Sequence, residues 1–249
     1  MTTPDRWMRT VREQLELGRL LPLGGPTDGA WVAERAAREV LLAAARQVPG
    51  VRPGRLRITR VAPEEGGEPA VPAPPSALPP GPLRVTADFA ASASEPLPAA
   101  AARLRAALTE AATRRVGLTV TEVDLRATDL LDAASEPTPG AAPEPEPDAG
   151  AADRLMVRVE ADGTDESHAA GAALAVPGVR GLTSTLGRPV LVTEPDPGRE
   201  AALTRRHVRV ELAVGTDRPT AEVSRTVRAA VTAALPDRPT VAVLVTAIG

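Results

Sequence analysis

The 249-residue chain carries 29 basic side chains, all Arg, against 32 carboxylates, for a net charge of −3. That balance supplies no general electrostatic drive toward nucleic acid or an anionic membrane, although a local basic patch stays open. The absence of Cys excludes disulfides, thiolate chemistry and Cys-based metal sites, and an aromatic set limited to Trp7, Trp31 and Phe89 is poor material for a base-stacking surface or an enzyme pocket.

The N-terminus places Asp5, Arg6 and Arg9 where a signal peptide needs an apolar core, and no run is long enough to span a bilayer. The expectation is a cytoplasmic protein, with the inner face of the membrane as a further possible station. Residues 4–21 predict an amphipathic helix capped by Thr3, with Pro4 in its first turn. Trp7, Met8, Val11, Leu15 and Leu20 line one side, and Leu21-Pro22-Leu23-Gly24-Gly25 ends it. Trp7, Met8, Val11 and Leu15 form the candidate interaction surface. Two uses are open: docking on the body or on a second copy, or lying on a membrane surface with Arg toward the headgroups. Acidic residues dilute the basic face and favour the first.

Asp28 then caps a predicted helix from Ala30 to Gln47, with Val32, Ala36, Val40, Ala43, Ala44 and Val48 as its core stripe. Pro49-Gly50 stops it. A strand follows over Arg55–Ala62, and Pro63–Pro82 is predicted as a long flexible acidic loop. Leu83–Ala90 alternates cleanly, with Leu83, Val85, Ala87 and Phe89 opposite Arg84, Thr86 and Asp88. Ser94 and Pro96 open a helix whose core side is Leu97, Ala101, Leu104, Leu108 and Ala111. Leu118–Thr128 is a second alternating strand. Asp132–Ala152 has the composition of an extended linker. Beyond it come a strand at Leu155–Ala161, a short helix from Asp165 to Ala175, and a strand or hairpin over Gly181–Thr193 turning at Gly187-Arg188-Pro189. His207–Val214 alternates again, Thr220–Leu235 is helical around Val223, Val227, Ala230, Val231 and Ala234, and Pro239–Ile248 closes the chain.

An internal repeat runs through this order. Val48-Pro49-Gly50-Val51-Arg52 returns unchanged as Val176-Pro177-Gly178-Val179-Arg180. Arg84-Val85 matches Arg209-Val210, Arg105-Ala106-Ala107-Leu108 matches Arg228-Ala229-Ala230-Val231, and Thr119-Val120 matches Thr240-Val241. The expected fold is α+β, with two tandem α-β-β-α-β units, each a small sheet with helices on one face, joined by a Pro-rich linker. The predicted organisation is an N-terminal helix and loop over 1–26, a first unit over 27–131 with its insertion at 63–82, a linker over 132–152, and a second, divergent unit over 153–249.

That order of helix, Gly-Val turn, strand, alternating strand, helix and alternating strand resembles the alkaline-shock protein family of envelope-stress proteins. The resemblance rests on Val32–Val51, Leu83–Phe89, Pro98–Ala112 and Val116–Ala127; the body here is duplicated and carries a Pro-rich insertion and an N-terminal helix besides. It implies a non-enzymatic bacterial protein, cytoplasmic or held at the inner face of the membrane by a partner, with no catalytic residues to carry over. Pro- and Ala-rich chains also attract the label of a nucleopolyhedrovirus fibrous-body protein family, a consequence of low complexity that implies nothing viral.

Chemical motifs are sparse, and no catalytic, cofactor-binding or metal residue is assigned. His168 and His207 lack the spacing of a metal site and are expected at the surface. Asp88, Glu122 and Asp124 could form a carboxylate pair, but cross-strand pairing with Arg84 or Arg126 explains them more simply. Gly24-Gly25-Pro26-Thr27-Asp28-Gly29 has the glycines of a phosphate loop without its Lys or a preceding strand, and Ser184 does not sit at nucleophile-elbow spacing. Arg103, Arg105, Arg114 and Arg115, with Arg205-Arg206, could bind something acidic, but solvated faces account for them. The leading expectation is a scaffold or interaction protein acting through self-association or a membrane-associated partner, without cofactor or nucleic acid. The alternatives are an enzyme or ligand-binding protein with a site between the two units, and nucleic-acid binding through the Arg patch.

Overall fold

A computed structural model describes residues 18–62, 67–131, 156–195 and 205–249. The repeated pentapeptide builds the same corner twice. In each copy Pro and Gly occupy the centre of a turn closed by a hydrogen bond, Val51 N–H to Val48 O at 3.3 Å and Val179 N–H to Val176 O at 3.1 Å. Gly50 and Gly178 take φ of 70° and 96°, the left-handed conformation that suits Gly. Their carbonyls both accept from the far end of the neighbouring strand, from Ser92 N–H and Gly215 N–H at 2.8 Å each.

Around these corners the chain is α+β, with the order α-β-β-α-β in the first half and α-β-β-β-α-β in the second, where the first strand is in two pieces. In the first half, helix α1 (Glu34–Arg46) leads into β3 (Val51–Arg60) and β4 (Leu83–Ser92). Helix α2 (Leu97–Glu110) runs on as a π turn (Ala111–Val116) into β5 (Val120–Leu131). Strand β4 pairs antiparallel with β3 and parallel with β5. In the second half, α3 (Asp165–Leu174) precedes β7 (Val179–Thr183) and β8 (Val190–Thr193). Then come β9 (His207–Val214), α4 (Thr220–Ala234) and β10 (Thr240–Ile248). Strand β9 pairs antiparallel with β7 and β8 and parallel with β10, the same arrangement. The repeat anchors fall on equivalent elements: Arg84 and Arg209 on the central strands, Arg105 and Arg228 on the second helices, Val120 and Val241 in the parallel strands.

The second sheet is larger because the first half adds to it. Strand β2 (Ala30–Ala33) pairs parallel with β10, Trp31 facing Leu244, and β1 (Leu20–Leu23) pairs antiparallel with β2. With the two-residue β6 (Met156–Val157) on β7, this sheet runs β1-β2-β10-β9-β7-β6, with β8 on β9. A single apolar core includes buried residues of both halves, from Leu41, Phe89 and Leu104 to Val210, Val227 and Val243.

Several sequence expectations are corrected. Leu20 and Leu21 belong to a strand, not to the end of a helix over 4–21, and their side chains are buried. Gly18 and Arg19 are not helical either, while residues 4–17 of that predicted helix, and the linker over 132–152, lie outside the described residues. Ala30–Ala33 is strand instead of the first turn of α1, because the open edge of β10 gives Trp31 and β-branched Val32 a ladder. Helix α1 consequently starts at Glu34 and buries Ala36, Ala37, Leu41, Ala44 and Ala45; Ala43 is exposed and Val40 half-buried. On α2 the buried side is Ala100, Leu104 and Leu108, while Leu97 is exposed and Ala101 half-buried. On α4, Ala230 is half-buried and Ala234 exposed.

The described part of the Pro-rich insertion is not a free loop. Leu78 N–H donates to Leu20 O (2.8 Å), Ala70 N–H to Pro26 O (3.0 Å) and Trp31 Nε1–H to Leu78 O (3.3 Å), and Val71 is buried. The strand expected over Leu155–Ala161 reduces to Met156–Val157 among its described residues. Finally, β7 and β8 are not a hairpin. They lie end to end along β9, as one strand interrupted by residues 184–189, where the first half has the continuous β3.

Candidate functional site

The candidate interaction residues Trp7, Met8, Val11 and Leu15 lie outside the described residues. The remaining sequence candidates can be placed.

The glycine loop is a hairpin connection. Strand β1 does precede it, contrary to expectation, and a strand follows instead of a helix. Gly24 N–H donates to Gly117 O (2.9 Å) and Gly25 N–H to Asp28 Oδ2 (2.8 Å), so both amides are committed within the chain. Asp28 does not cap α1; its other oxygen accepts from Arg225 Nε at 3.0 Å, and Arg228 donates to Thr27 O. An open groove of about 490 Å³ lies beside the loop, lined by Gly24, Gly25, Pro26, Gly67, Pro80, Gly81, Pro82 and Thr119. Among the described residues no ionisable side chain lines it.

Of the strand carboxylates, Glu122 and Asp124 pair with Arg84 as expected. Arg84 faces Glu122 across β4 and β5 and donates to it, with Asp124 3.3 Å from the same guanidinium. The Arg patch divides into separate contacts. Arg103 binds Glu95, whose carboxyl it holds below the usual range; Arg114 lies 3.8 Å from Glu110; Arg105 donates to Val123 O. Arg206 gathers Asp165 (2.6 Å), Glu194 (3.0 Å) and Asp237 (3.3 Å), joining α3, the end of β8 and the turn before β10.

His168 is exposed, but His207 is only 7% exposed, which corrects the expected surface position. Strand β9 is covered on both sides, so its polar face is interior as well as its apolar one. His207 Nδ1 lies 2.9 Å from Thr240 Oγ1, and burial together with the charge of Arg209 lowers its pKa to about 4.

The alternation of β9 suggests that Glu211 faces solvent, yet it is fully buried. It accepts from Leu186 N–H (2.9 Å) and from Arg209 Nη2 (3.2 Å), while Arg209 also reaches Leu186 O. Glu211 N–H in turn donates to Pro189 O at 2.8 Å. The strand thus holds the six-residue interruption 184–189 from both its side chain and its backbone. Burial raises the Glu211 pKa to about 7, against the opposing pull of the backbone N–H groups and Arg209. The sequence carried no signal for this site: alternation gives the two faces of β9 but not which loop will cover the polar one. Thr183 and Thr246 add a buried hydroxyl pair at 2.7 Å nearby. Chemically, Glu211 and Arg209 bind a loop, and among the described residues no group of three or more metal-ligating side chains occurs.

The junction between the halves, where a shared site would have to lie, is packed along α4. Gly117 takes φ 93° at the end of the π turn, and a methyl group added there would overlap Ala221. Arg225 and Arg228 of the same helix bind the β1–β2 loop.

No family model and no curated protein matches the chain. Among solved structures, a MamM CTD variant is similar at 14% identity and a TM-score of 0.25, over 38% of this chain and 92% of its own. A likeness at that level carries no argument about this protein.

Proposed function

We propose that the chain is a non-catalytic scaffold or interaction protein of the alkaline-shock, envelope-stress type, acting through self-association or a membrane-associated partner. It would work in the cytoplasm or at the inner face of the membrane; among the described residues no helix is long and apolar enough to cross one. The observation that carries the reading is how the chain joins its own halves. A strand of one half extends the sheet of the other, β2 on β10, so sheet-edge association is already part of this architecture. Among the described residues the most perturbed ionisable groups, Glu211 and His207, are occupied in holding a loop and a neighbouring strand.

The test is the cellular distribution of the tagged full-length protein beside a variant with Trp7, Val11 and Leu15 changed to Gln. Truncation at residue 22 is unsuitable, because it removes Leu20–Pro22 from β1. Loss of a membrane or clustered distribution with an unchanged circular dichroism spectrum is the expected result. An identical distribution and oligomeric state in both forms would remove the role given to the helix.

A further inference from the structure

Strand β5 has one edge paired with β4 and, among the described residues, no strand on the other. Its regular stretch is Glu122–Ala127, bounded by register shifts on both sides. Most of the strand beyond it is exposed, Leu130 by 61%. The equivalent strand of the second half, β10, has this same edge covered by β2. The fold therefore contains one filled and one unfilled version of a single edge.

We propose that the free edge of β5 pairs with the β5 edge of a second copy, antiparallel about a two-fold axis at Leu125. This deepens the self-association half of the reading above and rests on it. Register decides the match. With the axis at Leu125, Asp124 stands opposite Arg126 of the second copy and Arg126 opposite its Asp124, while Val123 meets Ala127 and Leu125 meets Leu125. An axis at Asp124 would oppose Asp124 to itself, and one at Arg126 would oppose Arg126 to itself, both like-charge contacts.

The faces agree. Val123, Leu125 and Ala127 stand in register with the buried Val85, Ala87 and Phe89, and so continue the apolar side of the sheet. Asp124 and Glu122 lie on the side of Arg84. The backbone agrees too. Val123 O accepts from Arg105 Nε at 3.3 Å, outside the ladder to β4, which directs Val123 and, by alternation, Leu125 and Ala127 toward the free edge. Those residues then form the hydrogen-bonded pairs, and Asp124–Arg126 falls on the closer, non-bonded pair. The second copy's amide would replace Arg105 on the Val123 carbonyl. Charged side chains on an edge strand ordinarily discourage pairing; here their order makes them self-complementary.

The experiment is sedimentation of the full chain, with circular dichroism as a check on folding. Wild type should dimerise. Asp124→Arg alone and Arg126→Asp alone should each weaken self-association at least about tenfold, since each sets like charges opposite twice. An equimolar mixture of the two variants should restore the dimer, because each supplies the charges the other lacks. A monomeric wild type, single variants that associate like wild type, or a mixture that stays monomeric would each overturn the proposal. So would slow hydrogen exchange at Val123, Leu125 and Ala127 in a monomer, which would mean that the chain covers its own edge. The Trp7, Val11 and Leu15 substitutions separate the two ideas: if they abolish localisation while the charge swaps leave assembly unchanged, the edge proposal falls and the functional reading stands.

Discussion

Glu211 and His207 lie four residues apart on the same face of β9, and burial moves their pKa values in opposite directions. His207 stays neutral in the folded state until about pH 4, whereas its unfolded counterpart charges near 6.5; stability is therefore lost as pH falls from 6.5 toward 4. Glu211 binds its proton near pH 7 when folded and near 4.5 when unfolded, so its contribution is present below 4.5 and is lost as pH rises toward 7. Across the shared window the two slopes oppose, and together they leave stability nearly independent of pH. Glu211→Gln should unmask the His207 slope, so that the unfolding free energy read from urea denaturation falls on going from pH 7 to pH 5, by an amount on the order of 2 kcal/mol. Thermodynamically, a Glu211→Gln profile as flat as wild type would mean that the two groups do not titrate as their burial requires. Glu211 was not legible in the sequence, because alternation identifies the two faces of a strand but not whether a later loop covers the polar one.

Among the elements, the insertion that reads as loose by composition is the most instructive. Pro and Gly exclude a ladder, which the sequence showed correctly, but irregular backbone can still be fixed by neighbours that need partners. Leu20 and Leu78 bond to each other, and the Trp31 indole takes the Leu78 carbonyl. Amide hydrogen exchange at Ala70 and Leu78 should be slowed at least about a hundredfold relative to an unstructured peptide. Exchange at the unstructured rate would return the segment to the flexible loop first expected. Truncating Trp31 to Ala should cost about 3–5 kcal/mol, since the ring is fully buried and its N–H bonded. Its effect on exchange at Leu78 would show whether the indole anchors the insertion.

On the scale of the molecule, the parallel pairing of β2 with β10 and the close approach of Gly117 to Ala221 make one half part of the other's core. Heat should therefore unfold the chain in a single transition, with equal calorimetric and van't Hoff enthalpies. Two resolved transitions would show that the halves are held together less firmly than their shared core requires. Gly117→Ala should destabilise both halves together by about 1–3 kcal/mol, because it combines a left-handed backbone with an overlap across the junction.

By itself the sequence determined the class of fold, the duplication and the order of elements within each copy. These follow from local chemistry: Pro-Gly turns, the period of two in β4, β5 and β9, and the period near 3.6 in α4 each act over a few residues. Tertiary structure alone decided that Ala30–Ala33 is a strand, that the Pro-rich insertion is docked, and that Glu211 and His207 are interior. Each depends on a surface supplied by residues distant in the chain, the edge of β10, the flank of β1 and the interruption in the strand beside β9. A pattern read along the chain carries no record of which surface will cover it.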